Sequence, residues 1–374
     1  MYHIYSDYLS ASHEPLAGER TCLYDAALNE WRFCHHPALG AFGNRLFAMW
    51  SNGPNGEDEL GQRVMYASSE DGRRWSTPRI LCEAFEGRRM QRVLTAAGFH
   101  ACGGKLAAYI GAYEYRSLEE TTDRSGRTRQ GRDCVETALY AMVTQDGEHF
   151  CAPMDLQVPI CPNYGPQPLQ SGRLLLTGNW AHAYTDDPFG LTGWTLRGFC
   201  RDTGLLEKPV RDDPSYFWRV SRAMGLEGAL CEGAYLQGED GVIHMLHRSY
   251  GQWLFESDSA DGGETWSHPE MTRFPNGNSK FFLGRLPDGR CIYIGNPALN
   301  ANRCPLVLSI AEADMRFERH YLLESQPTRR KFNGFAKGGM YAYPHALCHG
   351  DSLYVIYSLW KEDVYVLRIP LADL

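Results

Sequence analysis

Short apolar runs recur along the whole chain, each introduced by a small or turn-forming pair of residues. They read GNRLFAMW (43–50), GGKLAAYI (103–110), SGRLLLTG (171–178), DGVIHMLH (240–247), DGRCIYIG (288–295) and GDSLYVIY (350–357), and their starts lie 48–69 residues apart. Gly, Asp or Asn feeding a run rich in β-branched and aromatic residues is what a tight turn delivering a buried strand looks like. No stretch carries the 3.6-residue apolar spacing of an amphipathic helix. Six units of equal rank, with turn-rich connections and no linker or composition shift, predict one all-β domain over residues 1–374, a β-propeller. The first 34 residues (HIYSDYL, RTCLYDAA, EWRF) supply further strands that either complete the last blade or build a seventh.

A second phrase follows several of the runs: an Asp/Gly turn and then an aromatic residue. Residues 259–266 read SADGGETW and residues 68–75 read SSEDGRRW, with TQDGEHF (144–150) and SIAEADMRF (309–317) as worn versions. Ser259, Asp261, Gly263, Thr265 and Trp266 resemble the Asp-box, or bacterial neuraminidase repeat, of sialidases and other propeller enzymes; in 68–75, Glu70 stands where that register puts the Asp. The box is a turn staple, so it speaks to architecture rather than chemistry. Its Trp266 is expected to pack between sheets at the outer rim of a blade.

Composition narrows the partners. Hydrophobic residues make up 43% and charged residues 22%, as in ordinary globular proteins. With 37 basic against 45 acidic residues the net charge is −8, so the overall field favours neither nucleic acid nor an anionic membrane. No apolar run is long enough to span a bilayer, and the opening MYHIYSDYLS lacks the basic start and apolar core of a signal peptide. A cytoplasmic protein is expected, with export by a removed leader left open. Twelve cysteines occur singly and never as CxxC, which points to buried reduced thiols. No calcium-loop or zinc spacing is present, and no cofactor is required.

In a propeller, the start of each innermost strand and the loop between the second and third strands share one pole of the central channel. The predicted strand starts carry His35/His36, Gln91/Arg92, Asn163/Tyr164, Glu232, Asn278/Lys280 and Tyr341/Tyr343/His345. The matching loops add Asn52, Glu57, Asp58, the Arg-rich segment 111–136, Asn179 with Trp180 and His182, Arg248 and Asn296. Any one polar residue at a strand end is unremarkable because strand ends are wet. Six in register predict a ligand site, since channel positions bearing His, Arg, Glu and Lys must be paired or used. On an extended strand only one of His35 and His36 can face the channel. Arg248 ends a central strand and suits anion binding; Glu232 pairs with it or binds ligand.

HHPALGAFGNRLFAMWSNGPNGEDELGQRVMYASSEDG, NGNSKFFLGRLPDGRCIYIGNP and GMYAYPHALCHGDSLYVIYSLWKEDVYVLRIPL resemble the propeller group of rhamnosyl-glucuronate lyases, related α-L-rhamnosidases and, more remotely, ulvan lyases. Members of that group have seven blades, which favours seven here, and some hold a metal ion near the channel, so a structural calcium is an expectation. The resemblance implies β-elimination at C4 of a uronic acid, releasing L-rhamnose from a rhamnosyl-glucuronate terminus. That chemistry needs a cation set on the carboxylate, a base for the C5 proton and an acid for the leaving oxygen. The group's His pair, Tyr and Arg would map to His35 or His36, to one of Tyr109, Tyr113 and Tyr115, and to one of Arg124, Arg129 and Arg132, with Tyr113, Arg129 and Arg248 preferred. The second His is missing near Asn55 and Gln62. Substrate contacts would come from Arg92, Tyr164, Asn179, Glu232, Lys280, Asn296, Tyr343 and His345. A glycoside hydrolase comes second in preference; an exo-sialidase or a non-catalytic sugar-binding propeller follows, because His35-His36-Pro37 replaces the Arg-Ile-Pro that sialidases resemble. A carboxylate pair across the channel would favour hydrolysis, and a His/Tyr set beside arginines would favour elimination.

Overall fold

The computed structural model describes residues 3–115, 118, 120–122, 128–130, 134–178, 181–198, 230–249 and 251–374. They form six antiparallel sheets arranged as the blades of one propeller. The strands, from the channel outward, are Phe33–Phe42, Arg45–Gly53, Arg63–Ser69 and Arg79–Cys82 in blade 1. Blade 2 has Val93–Cys102, Lys105–Tyr115, Cys134–Thr144 and Met154–Asp155. Blade 3 has Gln167–Pro168, Leu174–Thr177, Ala181–Thr185 and Thr195–Gly198, and blade 4 Leu230–Gln237, Ile243–Ser249, Trp253–Ser259 and Glu270–Pro275. Blade 5 has Phe282–Arg285, Cys291–Gly295, Leu306–Ala311 and Arg319–Glu324. Blade 6 combines Tyr341–His349, Ser352–Leu359 and Asp363–Pro370 with Glu19–Tyr24 from the other end of the chain.

Every repeated apolar phrase is the second strand of a blade. At Gly103-Gly104 both hairpin residues have positive φ (53° and 72°), the backbone that a two-residue turn between right-twisted strands requires. The strands read as continuous apolar runs because each sheet is covered on both faces. Core clusters lie between neighbouring blades: Met49, Tyr66, Leu94 and Ile110 between blades 1 and 2; Tyr109, Ile160 and Leu176 between 2 and 3; Leu39, Trp50, Ile356 and Val366 between 6 and 1. Near the axis the inner strands crowd together, so that a Cβ on Gly98 would sit 2.6 Å from the Gly165 nitrogen.

The expectation of a seventh blade is corrected to six. Glu19–Tyr24 pairs antiparallel with Asp363–Pro370 and burys Leu23 and Tyr24, completing blade 6. Of the preceding segments, Glu14–Pro15 pairs in parallel with Tyr321–Leu322 and covers the edge of blade 5, and Tyr5–Ser6 pairs in parallel with Arg316–Phe317 in a small two-stranded sheet of its own. The described N-terminal strands are thereby used without building a seventh blade.

The turn staples lie between the third and fourth strands of the blades, at the pole opposite the inner-strand starts. Asp261 accepts from Thr265 N (2.8 Å) and Thr265 Oγ1 (2.6 Å), and Gly263 N donates to Ser259 Oγ at 2.9 Å. Trp266 is half-buried against Leu175, Tyr184 and Tyr235, between blades 3 and 4. In blade 1 the register differs from the sequence reading: Ser69 and Asp71 do the work, Asp71 Oδ1 accepting from Arg73 N and Arg74 N, and Glu70 has no part in the staple. Thr144 and Asp146 repeat this geometry in blade 2. Blade 3 has a staple that the sequence reading missed, where Asp187 accepts from Phe189, Leu191 and Thr192.

The described cysteines are free thiols; Cys34, Cys82, Cys231 and Cys291 are buried as expected, whereas Cys22, Cys134 and Cys151 lie exposed on outer strands or strand ends. Among the described residues no helix is long and apolar enough to cross a membrane.

Candidate active site

Four inner strands carry a pairing irregularity near one pole: between His35 and Ala38, Ala96 and Gly98, Cys231 and Gly233, and Ala342 and His345. An extra residue in one strand bends it and re-aims its side chains. His36 (φ 52°) and Tyr343 (φ 57°) take left-handed backbone at these bulges. Asp58 (61°), Asn278 (53°), Arg303 (55°) and Lys361 (57°) do the same in the loops at that pole. Such conformations in non-glycine residues cost on the order of 1–3 kcal/mol each and gather where function constrains the backbone.

The bulge corrects the expectation that one His of the pair must turn away. The His35 ring lies 3.9 Å from the Tyr343 ring and the His36 ring 5.4 Å from it, with the two imidazoles 4.5 Å apart. His35 Nδ1 bonds to Ser358 Oγ at 2.9 Å and His36 Nδ1 to Ser51 Oγ at 3.0 Å. His35 Nε2 makes no hydrogen bond among the described residues and stands 3.7 Å from Glu57 Oε1.

Tyr343 is the hub. Its hydroxyl accepts from Arg248 Nη1 at 2.8 Å and bonds to Glu232. Arg248 Nη1 also contacts Glu232 Oε2, while Nε and Nη2 donate to Asn278 Oδ1 at 3.0 and 2.8 Å. Arg303 lies over the Tyr343 ring, 5.2 Å from its centroid, and its Nη2 reaches the Asn278 carbonyl at 3.3 Å. Arg303 Nη1 is buried without a partner among the described residues. Gly339 makes room for this guanidinium, since a Cβ there would fall 2.3 Å from Arg303 Cδ. Lys280 Nζ donates to the Asn163 carbonyl at 2.5 Å and sits 4.2 Å from the Tyr164 ring and 5.1 Å from that of Tyr343. On the far side Lys361 Nζ pairs with Glu57 Oε2 at 2.5 Å.

Four cations (Arg248, Arg303, Lys280, Lys361) thus face the carboxylates Glu57 and Glu232, with Asp58 a third that acts on Lys361. Burial pushes His36 down to about 3 and His35 well below its usual range, so neither imidazole adds charge at neutral pH. Burial lowers Lys280 to about 8. Against burial, Arg248 and Lys280 hold Glu232 at about 2, and Lys361 keeps Glu57 below its ordinary value. Burial raises the Tyr343 phenol well above 10, so it is neutral. The pole carries an excess of buried positive charge, and an anionic ligand would balance it.

Other anticipated residues serve the frame around this cluster. Tyr164 donates to the Phe281 carbonyl and packs beside Lys280. His345 Nδ1 accepts from Leu39 N at 3.2 Å, and its ring lies against Phe282. Asn296 donates to the Arg303 and Pro305 carbonyls, both at 3.0 Å, and so shapes the loop that delivers Arg303. Arg92 is held by Glu114 Oε1 (3.2 Å) and the Glu136 carbonyl (3.1 Å) in blade 2. Tyr113 packs with Val93, Tyr115, Leu60 and Cys161. Asn179, Trp180 and the side chain of Arg129 lie outside the described residues, as do Arg124 and Arg132. The sequence reading missed Arg303 and Lys361. Both occupy loops between second and third strands, the position that signalled Arg248, but they stand several residues beyond the ends of the phrases 288–295 and 350–357.

The chain belongs to the family described as BNR repeat-like domain, which matches residues 44–356. Among solved structures, a sialidase superposes with a TM-score of 0.66 at 18% identity over 98% of this chain. This chain spans about a third (35%) of the length of that sialidase. The intramolecular trans-sialidase from Ruminococcus gnavus, solved with oseltamivir carboxylate, gives 0.61 at 14% identity, covering 96% of this chain and 98% of its own. A leech intramolecular trans-sialidase complexed with 2,7-anhydro-Neu5Ac gives 0.65 at 12% identity, covering 96% and 71%. No curated protein matches the chain. These likenesses establish a BNR propeller with the fold of sialidases; they lend nothing to the rhamnosyl-glucuronate lyase group in particular.

Proposed function

We propose that this protein is a carbohydrate-active enzyme that cleaves or transfers a glycosyl unit bearing a carboxylate next to its anomeric carbon. The observation that carries the reading is the hydrogen-bonded set Glu232–Tyr343–Arg248, assembled from blades 4 and 6 with Arg303 of blade 5 beside it. Tyr343 is the nucleophile. A carboxylate nucleophile would be repelled by the substrate's own carboxylate, whereas a neutral phenol is not, and tyrosine is the known departure from the two-carboxylate rule of glycosidases. Glu232, held ionised, accepts the phenolic proton as the oxygen attacks; Arg248 and Arg303 bind the substrate carboxylate. Glu57 supplies acid and base catalysis to the leaving group and then to water or an internal hydroxyl, and a bound anion would raise its proton affinity for the first of these steps. His35 replaces the third arginine of the sialidase pattern, so the clamp differs, and the cations Lys280 and Lys361 add to the field.

Elimination from a uronate is the second reading, favoured by two neutral imidazoles and a tyrosine beside two arginines. It is placed second because an imidazole at about 3, as for His36, is a feeble base for a C5 proton at neutral pH. The deciding experiment offers the protein an aryl α-ketoside of an acidic nine-carbon sugar and, separately, a rhamnosyl-glucuronate oligosaccharide. Release of the aryl alcohol supports glycosyl transfer. Ultraviolet absorbance of an unsaturated uronate, with no aryl release, would overturn it in favour of elimination.

A further inference from the structure

Far from Tyr343, the outer part of blade 4 brings together a second set of ligating side chains. His244 lies directly opposite Asp258 across two paired strands, and Glu256, two residues before Asp258, points to the same face. His3 comes over them from the N-terminal segment, its ring 4.4 Å from that of His244. The four donor atoms lie within 4.8 Å of one another. His3 Nδ1 is 3.6 Å from Glu256 Oε1 and 3.4 Å from Asp258 Oδ2. His244 Nδ1 is 3.9 Å from Glu256 Oε1 and 2.7 Å from Asp258 Oδ1.

Nitrogen and oxygen donors about 2.0–2.1 Å from a tetrahedral zinc ion stand roughly 3.3 Å apart. Two of the four separations, 3.4 and 3.6 Å, are within a few tenths of an ångström of that edge, the 3.9 Å one closes by a small side-chain adjustment, and the 2.7 Å one is a hydrogen bond that opens when a metal replaces its proton. Two imidazoles with two carboxylates suit zinc; calcium takes six to eight oxygens. Glu256 is 5% exposed, and both its oxygens accept from the His3 amide at 3.2 Å, so it is fixed in place. Asp258 stands on the same face two residues on, and a divalent cation would relieve the repulsion between the two carboxylates. The other ligating trio, His35, His36 and Glu57, already has the Lys361 ammonium on its carboxylate.

We propose that His3, His244, Glu256 and Asp258 bind one zinc ion that clips the N-terminal segment to blade 4. The segment runs on from His3 to Tyr5–Ser6, which pairs with Arg316–Phe317 between the outer strands of blade 5, so the metal would tie two blades together through it. Binding displaces the protons on the donor atoms and is therefore weaker in acid.

The test uses the full chain stripped with a chelator and titrated with zinc alone against a colorimetric competitor. One ion per chain at micromolar affinity or tighter is expected, with a rise in melting temperature. Affinity should fall at least about tenfold in His3→Ala and in Glu256→Gln and stay unchanged in His36→Ala. His3 is half exposed, so its replacement leaves the fold intact and keeps the test decisive should the Glu256 variant fail to fold. Zinc should also slow amide exchange at Tyr5 and Ser6. Absence of saturable binding, or equal affinity in His3→Ala, overturns the site; unchanged exchange at those amides overturns the clip.

Discussion

Tyr343 owes its chemistry to neighbours from three other blades. Arg248 and Glu232 pair across its hydroxyl, and removing the phenol oxygen alone leaves the ring against His35. Tyr343→Phe should therefore fold with near wild-type stability yet lose turnover. Glu232→Gln should lower turnover by about 10²–10⁴-fold, the usual worth of a positioned base. Steady-state kinetics with circular dichroism as the folding control checks both, and a Tyr343→Phe enzyme of normal turnover would remove the nucleophile from the mechanism. Arg248→Met acts differently because it strands Glu232 as a buried carboxylate; a loss of about 3–5 kcal/mol in denaturant unfolding is expected, partly restored in the double variant with Glu232→Gln. Lys280, near 8 through burial and flanked by Glu232, Arg248 and Cys161, makes binding of anionic ligands pH-dependent. As pH rises through about 8 the lysine loses its charge, and the inhibition constant of an anionic competitor should rise on the order of tenfold. Lys280→Met should abolish that rise. The stability effect has the opposite sense. The unfolded chain holds this proton up to about 10.5, so between about 8 and 10.5 it binds more protons and stability increases with pH.

Each blade divides its labour between two ends. At the channel pole, bulged inner strands and left-handed loop residues aim side chains at one point; at the opposite pole, Ser/Thr–Asp turns staple the third strand to the fourth. Asp261→Ala deletes acceptors for Thr265 N, Thr265 Oγ1 and Ser259 Oγ, and should cost about 1–2 kcal/mol of stability while leaving kcat and KM unchanged. Thermal unfolding and kinetics on the same preparation test that separation. The staples were legible in sequence because Ser, Asp, Gly and Trp must stand at fixed offsets to cap one turn. Their register in blade 1 was not, because Ser68-Ser69-Glu70-Asp71 offers two serines and two acids, and only the turn's backbone chooses Ser69 with Asp71.

A ring of blades has to close, and here closure joins the two ends of the chain. Glu19–Tyr24 is the outermost strand of a blade whose other three strands come from residues 341–370. Deleting residues 3–24 would expose the edge of Asp363–Pro370 and the apolar surface that Leu23 and Tyr24 bury, worth about 3–5 kcal/mol. The truncated protein should unfold at lower denaturant and associate through its open edge, as read by equilibrium denaturation and light scattering. Unaltered stability would mean that the strand is not the closure.

Local physics made the repeats visible in the sequence. A turn needs Gly or Asp, a strand covered on both faces needs an unbroken apolar run, and both constraints act within ten residues, so six second strands and one pole of polar strand starts followed from the chain alone. His36, Glu232, Arg248, Lys280 and Tyr343 were named on that basis and meet around one point. Blade number depended on where the first 34 residues pair, a contact between opposite ends of the chain that no local pattern records. The orientation of both His35 and His36 depended on a bulge, which inverts the alternation that an extended strand would impose. Arg303 and Lys361 enter the site from loops that follow the phrases 288–295 and 350–357 at a distance, where left-handed backbone rather than strand alternation aims the side chain. Tertiary structure decided what lies opposite what, and charge balance at the pole is a property of that arrangement.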